Sequence, residues 1–344
     1  MRPSLFSVFL DYWCNFECKH CSVGSSPTTI MPMPREILEK AFAGLAQVPS
    51  AKVVVFTGGE PTLRMEMLEE GIRMARERGL LARIVTNGWW ASSPEKAHGV
   101  VARLRAAGLD EINTSYDDYH APFMKFSRIV NLVRAALAHD LRIGMGVILA
   151  NDAVFDAAEI RARLAKGLEM PEDELKGRVH ILEDRPTPTG NGKDLDVSAM
   201  AENDHALIGC PQILSTVSLH PNGGVKACCG HAMFYAPDLT LGNLHDEPLP
   251  DILARSGHNL LYWWIHMAGP KKILREIGVE GNHPHICHAC NDLLTTHRAK
   301  VLDHLEKNRN AIALNQVLLG GAVKQVARIA VAKKDEILDR MVAP

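Results

Sequence analysis

The chain has 344 residues, 47% of them hydrophobic, and a formal net charge of −2. This length allows a large core or two domains, and the balanced charge argues against binding to the phosphate backbone of nucleic acids. No apolar run could cross a bilayer and no secretory signal is visible, so we expect a cytoplasmic protein without a membrane partner. In a reducing compartment, its eight cysteines favour metal or redox chemistry over disulfides.

Short apolar strands alternate with amphipathic helices through the first half of the chain. The predicted strands are Leu5–Leu10, Val53–Thr57, Ala82–Thr86, Glu111–Ser115, Arg142–Leu149 and Arg178–Leu182. The predicted helices between them are Pro34–Val48, Met65–Arg78, Pro94–Ala107, Pro122–His139 and Phe155–Glu169. This alternation predicts parallel strands joined by right-handed crossovers, and six strands are too few for a closed eight-stranded barrel. The predicted fold class is therefore α/β, with a partial (β/α)6 TIM barrel.

A break in this pattern follows the sixth predicted strand. Residues 185–192 contain two prolines and two glycines, which is typical of a loop or linker. Beyond it the alternation stops and five of the eight cysteines appear, whereas the C-terminal part is rich in Ala, Leu and Lys and predicts helices. We therefore expect a partial barrel at residues 1–190, a small cysteine-rich auxiliary domain at 191–295 and a C-terminal helical segment at 296–344.

Three cysteines follow the first predicted strand at short spacing. Cys14, Cys18 and Cys21 are separated by three and then two residues, so their thiolates can all reach one small metal centre. A cubic four-iron cluster held by three thiolates keeps one iron open to a ligand that is not protein. The motif therefore indicates a centre at which a substrate or cofactor is activated.

A second motif, the run Thr57-Gly58-Gly59-Glu60, lies at the end of the second predicted strand. Its glycines permit close backbone approach at the sheet edge where ligands collect in α/β folds. Together and in this order, the two motifs resemble the signature of radical S-adenosylmethionine (radical SAM) enzymes. The resemblance implies a [4Fe–4S] cluster on the three cysteines and S-adenosylmethionine on its open iron. It also implies that Glu60 and the backbone of Gly58 and Gly59 hold the methionine amine.

Four further residues are candidates for cofactor binding. Asn87 and Ser115 lie at strand ends facing the same mouth and could contact the ribose or carboxylate, although turn and cap hydrogen bonding is an alternative. His20 stands where the family often has an aromatic residue beside the adenine, or it is a plain loop histidine. Asp117 follows the fourth strand, where it could anchor a cofactor hydroxyl or a peptide amine, or belong to a solvated loop.

The remaining cysteines form a second group: Cys210, Cys228, Cys229, Cys287 and Cys290. The adjacent pair follows residues 221–227, which predict a hairpin turn and a short strand. A single cysteine, a hairpin cysteine and a Cys-x-x-Cys pair supply four thiolates, a pattern that resembles the twitch or SPASM-like auxiliary cluster domain of some radical SAM enzymes. We assign Cys210, Cys228, Cys287 and Cys290 to a second [4Fe–4S] cluster, with a structural zinc site as the alternative.

Several stretches resemble one branch of this family, the EpeE-type peptide epimerases, which convert L-residues to D-residues in ribosomally made peptides. The most specific is Ser-Tyr-Asp-Asp-Tyr-His-Ala-Pro-Phe at 115–123; the others lie at 25–28, 86–90, 228–229 and 286–290. In that branch the second of two adjacent cysteines donates a hydrogen atom, which maps onto Cys229. A buried structural cysteine, or an exchange of roles with Cys228, is the alternative. One departure is that residues 211–215 lack the acidic residue of the family.

The resemblance implies that a 5′-deoxyadenosyl radical removes the Cα hydrogen of an L-residue and that Cys229 returns a hydrogen atom from the opposite face. The implied partners are a ribosomally made precursor peptide and an electron donor such as flavodoxin or ferredoxin. One alternative is a radical SAM dehydrogenase or peptide cross-linking enzyme that uses the auxiliary cluster as electron acceptor. A second is a non-catalytic zinc-binding module.

Overall fold

The computed structural model describes residues 2–201 and 209–318. All six predicted strands are present, with ends that differ from the predicted ones by at most two residues. They are β1 (Leu5–Phe9), β2 (Val53–Thr57), β3 (Leu81–Val85), β4 (Glu111–Ser115), β5 (Arg142–Ile148) and β6 (Val179–Asp184). The helices between them are α1 (Arg35–Leu45), α2 (Met65–Glu77), α3 (Pro94–Ala107), α4 (Ser127–Ala138), α5 (Ala157–Leu168) and α6 (Glu172–Lys176).

Most helix ends differ from the sequence-based expectation by one to five residues, whereas α3 matches it at both ends. The helix predicted from Pro122 begins at Ser127, and the short α6 was not predicted. The α3 helix keeps its predicted bounds because Ser93 caps its first turn and Gly108 ends it with a φ of 113°. A left-handed φ is readily adopted only by glycine, which is why this residue terminates the helix.

The sheet continues beyond the predicted barrel. Strands β7 (Thr216–Leu219), β8 (Gly224–Lys226) and β9 (Thr240–Asn243) extend it, giving the order β6-β5-β4-β3-β2-β1-β7-β8-β9. Strands β1 to β6 are parallel and β7 pairs in parallel with β1, whereas β8 and β9 are antiparallel. The predicted α/β partial barrel is therefore confirmed as an open sheet, and the cysteine-rich part of the chain adds strands to its β1 edge.

The two faces of the sheet have different roles. Val54 and Phe56 of β2 are fully buried, and Gly71 of α2 packs so closely on Phe56 that an added Cβ would lie 2.5 Å from its ring. The residues that alternate with them along β2, Val55 and Thr57, line an open cavity instead. Since successive side chains of a strand point to opposite faces, the helices cover one face and the other is left for ligands.

The remaining described residues form a helical layer beside the strands. The helices are α7 (Leu249–Ser256), α8 (Leu260–Ala268), α9 (Pro270–Glu276), α10 (Ile286–Leu294) and α11 (Arg298–Lys307), and residues 309–318 are also helical. The C-terminal helical prediction is thus met as far as residue 318, and 319–344 lie outside the described residues. Within the described ranges, no helix is both long and apolar enough to cross a membrane.

Candidate active site

A cavity of about 520 Å³ lies against the ligand-facing side of the sheet and beneath the loops that follow its strands. It is lined by residues from β1 to β5, by the loop after β1, and by segments near residues 185 and 230. Nine predicted site residues line it together: Cys14, Cys18, His20, Cys21, Gly58, Gly59, Asn87, Ser115 and Cys229. This volume is in the range of cavities that enclose small-molecule ligands.

The three N-terminal cysteines lie in the loop that follows β1. The Cys14 sulfur accepts hydrogen bonds from the Phe16 backbone N–H at 3.4 Å and from the Asn87 side-chain nitrogen at 3.7 Å. Burial raises the pKa of Cys14, to about 12, and of Cys18, and the nearby Cys21 adds to the rise in both. A metal cluster would relieve this repulsion between thiolates, and N–H groups aimed at sulfur are typical of iron–sulfur sites, so the donor set fits a cluster.

Gly58 and Gly59 bring the turn after β2 against the cysteine loop. A Cβ on Gly58 would overlap the carbonyl oxygen of Asp11, and one on Gly59 would overlap that of Trp13. In place of side chains, the backbone N–H groups of Gly59 and Glu60 donate to these two oxygens at 2.9 and 2.8 Å. The glycines are therefore required first for the packing of two loops, and they also line the cavity.

The Glu60 carboxylate is buried and is not among the groups that line the cavity. It accepts hydrogen bonds from the Thr62 N–H at 3.0 Å and hydroxyl at 2.5 Å, from the Thr86 hydroxyl at 2.8 Å and from the Asn87 N–H at 2.8 Å. Burial raises the pKa of Glu60, and these hydrogen bonds oppose the rise. Glu60 thus joins the turn after β2 to the end of β3, and its contact with a methionine amine stays a prediction.

His20, Asp117 and His120 form a polar cluster beside the cysteine loop. One ring nitrogen of each histidine and one carboxylate oxygen of Asp117 lie within 4.8 Å of one another. Asp117 accepts from the N–H groups of Tyr119 and Ile148 at 3.0 Å, and pairs with the His120 ring at 2.8 Å. Burial tends to raise the pKa of Asp117, but His120 and these hydrogen bonds outweigh it and lower the pKa. The Asp117 carboxylate therefore binds groups of the protein itself, and Asp117 is not among the residues that line the cavity.

His20 does face the cavity, and its Nδ1 is buried without a hydrogen-bond partner among the described residues. Burial lowers the pKa of His20 to about 4, so the ring is neutral near neutral pH. An orphaned nitrogen at a cavity wall is accounted for if a ligand supplies the missing hydrogen bond. This fits the predicted place of the adenine beside His20.

The second group of cysteines gathers behind the cavity wall. A Cβ added to Gly230 would lie 2.7 Å from the Cys287 sulfur and 3.9 Å from the Cys228 sulfur, so the glycine lets the chain pass between them. Burial raises the pKa of Cys228 and Cys290 well above its usual value, and both are raised further by Cys210 and Cys287. Four neighbouring cysteines whose thiolates would repel one another fit a metal centre.

The adjacent cysteines of the hairpin point to different surroundings. Cys228 is buried in the core, whereas Cys229 lines the cavity that holds the N-terminal cysteines. Cys229 lies within hydrogen-bonding reach of Ser7 on β1, and burial raises its pKa to about 11. Cys229 is therefore an S–H group at neutral pH. The geometry supports Cys228 rather than Cys229 as a ligand of the second cluster.

Sequence reasoning missed a polar network on the far wall of the cavity. The Thr187 hydroxyl hydrogen-bonds with His231 at 2.7 Å and with His285 at 3.2 Å, and the His285 Nε2 donates to Asp184 at 3.1 Å. His285 also caps α10, since its Nδ1 accepts from the Cys287 N–H at 3.0 Å. The linker residue Thr187 carries no motif, so nothing in the sequence indicated that it joins the end of β6 to the cluster-bearing helix.

Comparison with known proteins agrees with this geometry. The sequence model of the radical SAM superfamily matches residues 10–149 of the chain. The sequence model of the SPASM iron–sulfur cluster-binding domain matches residues 210–291. The chain thus contains a radical SAM domain and a SPASM domain. It uses S-adenosylmethionine and [4Fe–4S] clusters, as predicted, and the non-catalytic zinc-binding alternative loses its support. Which cysteines hold each cluster stays a prediction.

Among curated proteins, the chain is similar to the putative peptide biosynthesis protein YydG of Bacillus subtilis (strain 168). The two are 24% identical over 314 residues, which cover 86% of this chain and 93% of YydG. Among solved structures, it resembles native anSMEcpe with bound AdoMet and Cp18Cys peptide, with a TM-score of 0.50 and 13% identity over 91% of this chain and 99% of that one. This second likeness concerns the fold alone.

Proposed function

We propose that this protein epimerises L-residues to D-residues in a ribosomally made peptide. The single observation that carries the proposal is that Cys229 shares one cavity with Cys14, Cys18 and Cys21, whereas Cys228 is buried behind it. A thiol fixed at the wall of a radical enzyme's cavity is placed to give a hydrogen atom to a substrate radical. The likeness to a peptide biosynthesis protein supports a peptide as the substrate.

The chain's own residues position the reaction. The cluster and S-adenosylmethionine, when bound, supply a 5′-deoxyadenosyl radical that removes the Cα hydrogen of an L-residue. Cys14, Cys18 and Cys21 would hold the cluster, and Gly58, Gly59, Asn87, Ser115 and His20, which line the same cavity, would surround the cofactor. Glu60 and Asp117 fix the loops around it.

Cys229 completes the reaction on the opposite face of the substrate. Its S–H bond breaks, its hydrogen atom forms the new Cα–H bond of the D-residue, and a thiyl radical remains on its sulfur. Restoring the thiol takes one electron and one proton. Cys287 and Cys210 lie near enough to influence the Cys229 thiol electrostatically. A cluster held by these two cysteines would therefore lie close enough to Cys229 to exchange an electron with it. The outside electron source is a protein such as flavodoxin or ferredoxin.

One observation favours a second candidate, dehydrogenation or cross-linking of a peptide. Residues 211–215, where related epimerases have an acidic residue, contain none here, and Gln212 of this segment lines the cavity and accepts a hydrogen bond from Thr216 at 2.7 Å. Mass spectrometry separates the two reactions in D2O. Epimerisation replaces one hydrogen by deuterium, whereas dehydrogenation or cross-linking removes two hydrogens from the peptide.

The test of the proposal is anaerobic assay of the reconstituted enzyme with short peptides encoded beside its gene. Reductant and S-adenosylmethionine are supplied, and the product is hydrolysed for chiral amino-acid analysis. The proposal predicts a D-residue carrying one deuterium after reaction in D2O, because the cysteine thiol exchanges its hydrogen with solvent. A peptide that is modified without any D-residue would contradict epimerisation.

Replacement of the donor gives the sharpest prediction. Cys229→Ser is expected to form 5′-deoxyadenosine in the presence of peptide but to lose nearly all D-product, because an alcohol O–H bond is much stronger than a thiol S–H bond. Iron content is expected to stay at the wild-type level, which shows that the loss does not come from a missing cluster. If Cys229→Ser makes the D-residue at the wild-type rate, the donor is another group.

A further inference from the structure

Two unpaired polar atoms belong to residues that line the cavity from neighbouring strands of the barrel. Arg83 on β3 and Asn113 on β4 both line the cavity that contains Cys229. The Arg83 Nε and the Asn113 side-chain oxygen are buried and have no hydrogen-bond partner among the described residues. Buried polar atoms that stay unpaired cost free energy, so such a pair at a cavity wall indicates a ligand that satisfies both.

The strand register places Arg83 on the same face of the sheet as Ser7, the residue that Cys229 contacts. Ser7, against which Cys229 lies, is in register with Val55, and Val55 is in register with Arg83. Two strand spacings separate Ser7 from Arg83, which is about 10 Å and leaves room for one extended peptide between them. Asn113 lies two residues, or roughly 7 Å, below Ser115 on the same face of β4 and hence away from the cofactor end.

The charge on Arg83 narrows the class of ligand. Its guanidinium Nη2 already donates to the Glu111 carboxylate at 2.9 Å, so the positive charge is neutralised within the protein. The free Nε–H is therefore suited to a neutral acceptor rather than to an anion. Asn113 offers a neutral acceptor on the neighbouring strand, held over β5 at Gly144, where any Cβ would overlap its oxygen. One donor and one acceptor on adjacent strands, with no net charge left over, complement a peptide group.

We propose that Arg83 and Asn113 bind the main chain of the substrate peptide. The Arg83 Nε–H donates to a peptide carbonyl oxygen, and the Asn113 side-chain oxygen accepts from a peptide N–H. This pair of residues, called the clamp below, thus holds a substrate Cα between the cofactor and Cys229. It recognises the main chain of the peptide rather than its side chains. This inference rests on the proposed function, because it takes a peptide to be the substrate.

The experiment combines variants of the clamp with a modified substrate. The reconstituted holoenzyme is assayed with a synthetic peptide copied from the precursor around the epimerised residue, and with versions in which each flanking amide is replaced in turn by an ester. Arg83→Lys keeps a cation beside Glu111 but removes the Nε donor, and Asn113→Ala removes the acceptor. Arg142→Lys, an exposed arginine in register with Glu111, is the matched control.

The clamp predicts a KM for the peptide that is about tenfold higher in Asn113→Ala and in Arg83→Lys, as expected for one lost hydrogen bond, and unchanged in Arg142→Lys. An ester lacks the N–H of the amide that it replaces, so the ester at the bound position should raise the wild-type KM by a similar factor. The same ester should leave the KM of Asn113→Ala unchanged, because this variant has no oxygen to accept from that N–H. Iron content and the visible spectrum of the reconstituted protein should match the wild type in all variants, which shows that they fold and load their clusters.

Other outcomes overturn the inference in distinguishable ways. If the wild type epimerises the peptide but both clamp variants keep its KM, the clamp is wrong and the proposed function stands. The same conclusion follows if every ester loses as much affinity in Asn113→Ala as in the wild type. If the wild type modifies no peptide at all, the proposed function fails and the clamp fails with it.

Discussion

Two adjacent cysteines carry different chemistry because the chain turns between them. Cys228 follows β8 and is buried among Cys210, Cys287 and Cys290, whereas Cys229 reaches the cavity beside Ser7. The sequence could place both near a second metal site but could not say which one is the ligand. That distinction depends on the direction of each side chain at the end of a short strand, which alternation along so few residues does not fix.

The iron content of single variants tests this division of roles. Cys228→Ala is expected to lose roughly half of the iron of the reconstituted protein, because one of its two four-iron clusters would lose a ligand. Cys229→Ala is expected to keep the full content. The measurement is iron per chain after anaerobic reconstitution and gel filtration, together with the visible spectrum. Equal iron loss in the two variants would mean that both cysteines support the cluster, and loss in Cys229→Ala alone would mean that the roles are exchanged.

At the scale of an element, the turn between β2 and α2 is held by backbone contacts that only glycine allows. The carbonyl oxygens of Asp11 and Trp13 occupy the space where side chains of Gly58 and Gly59 would lie. The first cysteine motif and the Gly-Gly-Glu turn are thus parts of one folded unit, joined by the hydrogen bonds from Gly59 and Glu60. Their order in the sequence reflects this contact as well as the cofactor that they surround.

Alanine at Gly59 should therefore destabilise the protein, by more than the roughly 1–3 kcal/mol of ordinary overpacking, because backbone rather than a flexible side chain must move. The matched control is Gly99→Ala in the middle of α3, where a Cβ meets nothing within 4 Å. This control is expected to gain roughly 0.5–1 kcal/mol from helix propensity. Thermal unfolding of the anaerobic holoprotein measures both, and a Gly59→Ala midpoint at or above the wild type would contradict the packing argument.

Local elements were the part of the fold that the sequence predicted well. The bounds of β2, β4 and α3 were correct; a Val-rich run marks β2, and Pro94 and Gly108 mark the ends of α3. The clamp residues were not found, since recognising Arg83 and Asn113 requires knowing which face of β3 and β4 is free of helices. That knowledge comes from packing between elements distant in sequence, which no single strand's pattern contains.

For the whole molecule, the pairing of β7 with β1 makes the barrel and the SPASM region one sheet. Four residues of β1 are in register with four of β7, so β1 is an interior strand only because the later part of the chain covers it. The sequence predicted a linker near residues 185–192 and a change of pattern after it, but not that the next strand returns to the first. The thiol of Cys229 depends on this return, because it brings the hairpin beside Ser7.

The joint sheet predicts a cooperative response in hydrogen exchange. Amides of β1 and β7 should exchange together, with similar protection, because opening β7 turns β1 into an unpaired edge. Peptides from α11, whose surface is largely exposed, serve as the internal control and should exchange earlier. The measurement is mass spectrometry of the holoprotein over increasing denaturant. Early exchange of β7 to β9 while β1 stays protected would show instead that the SPASM strands open as an independent unit, and the fixed position of Cys229 would then need another support.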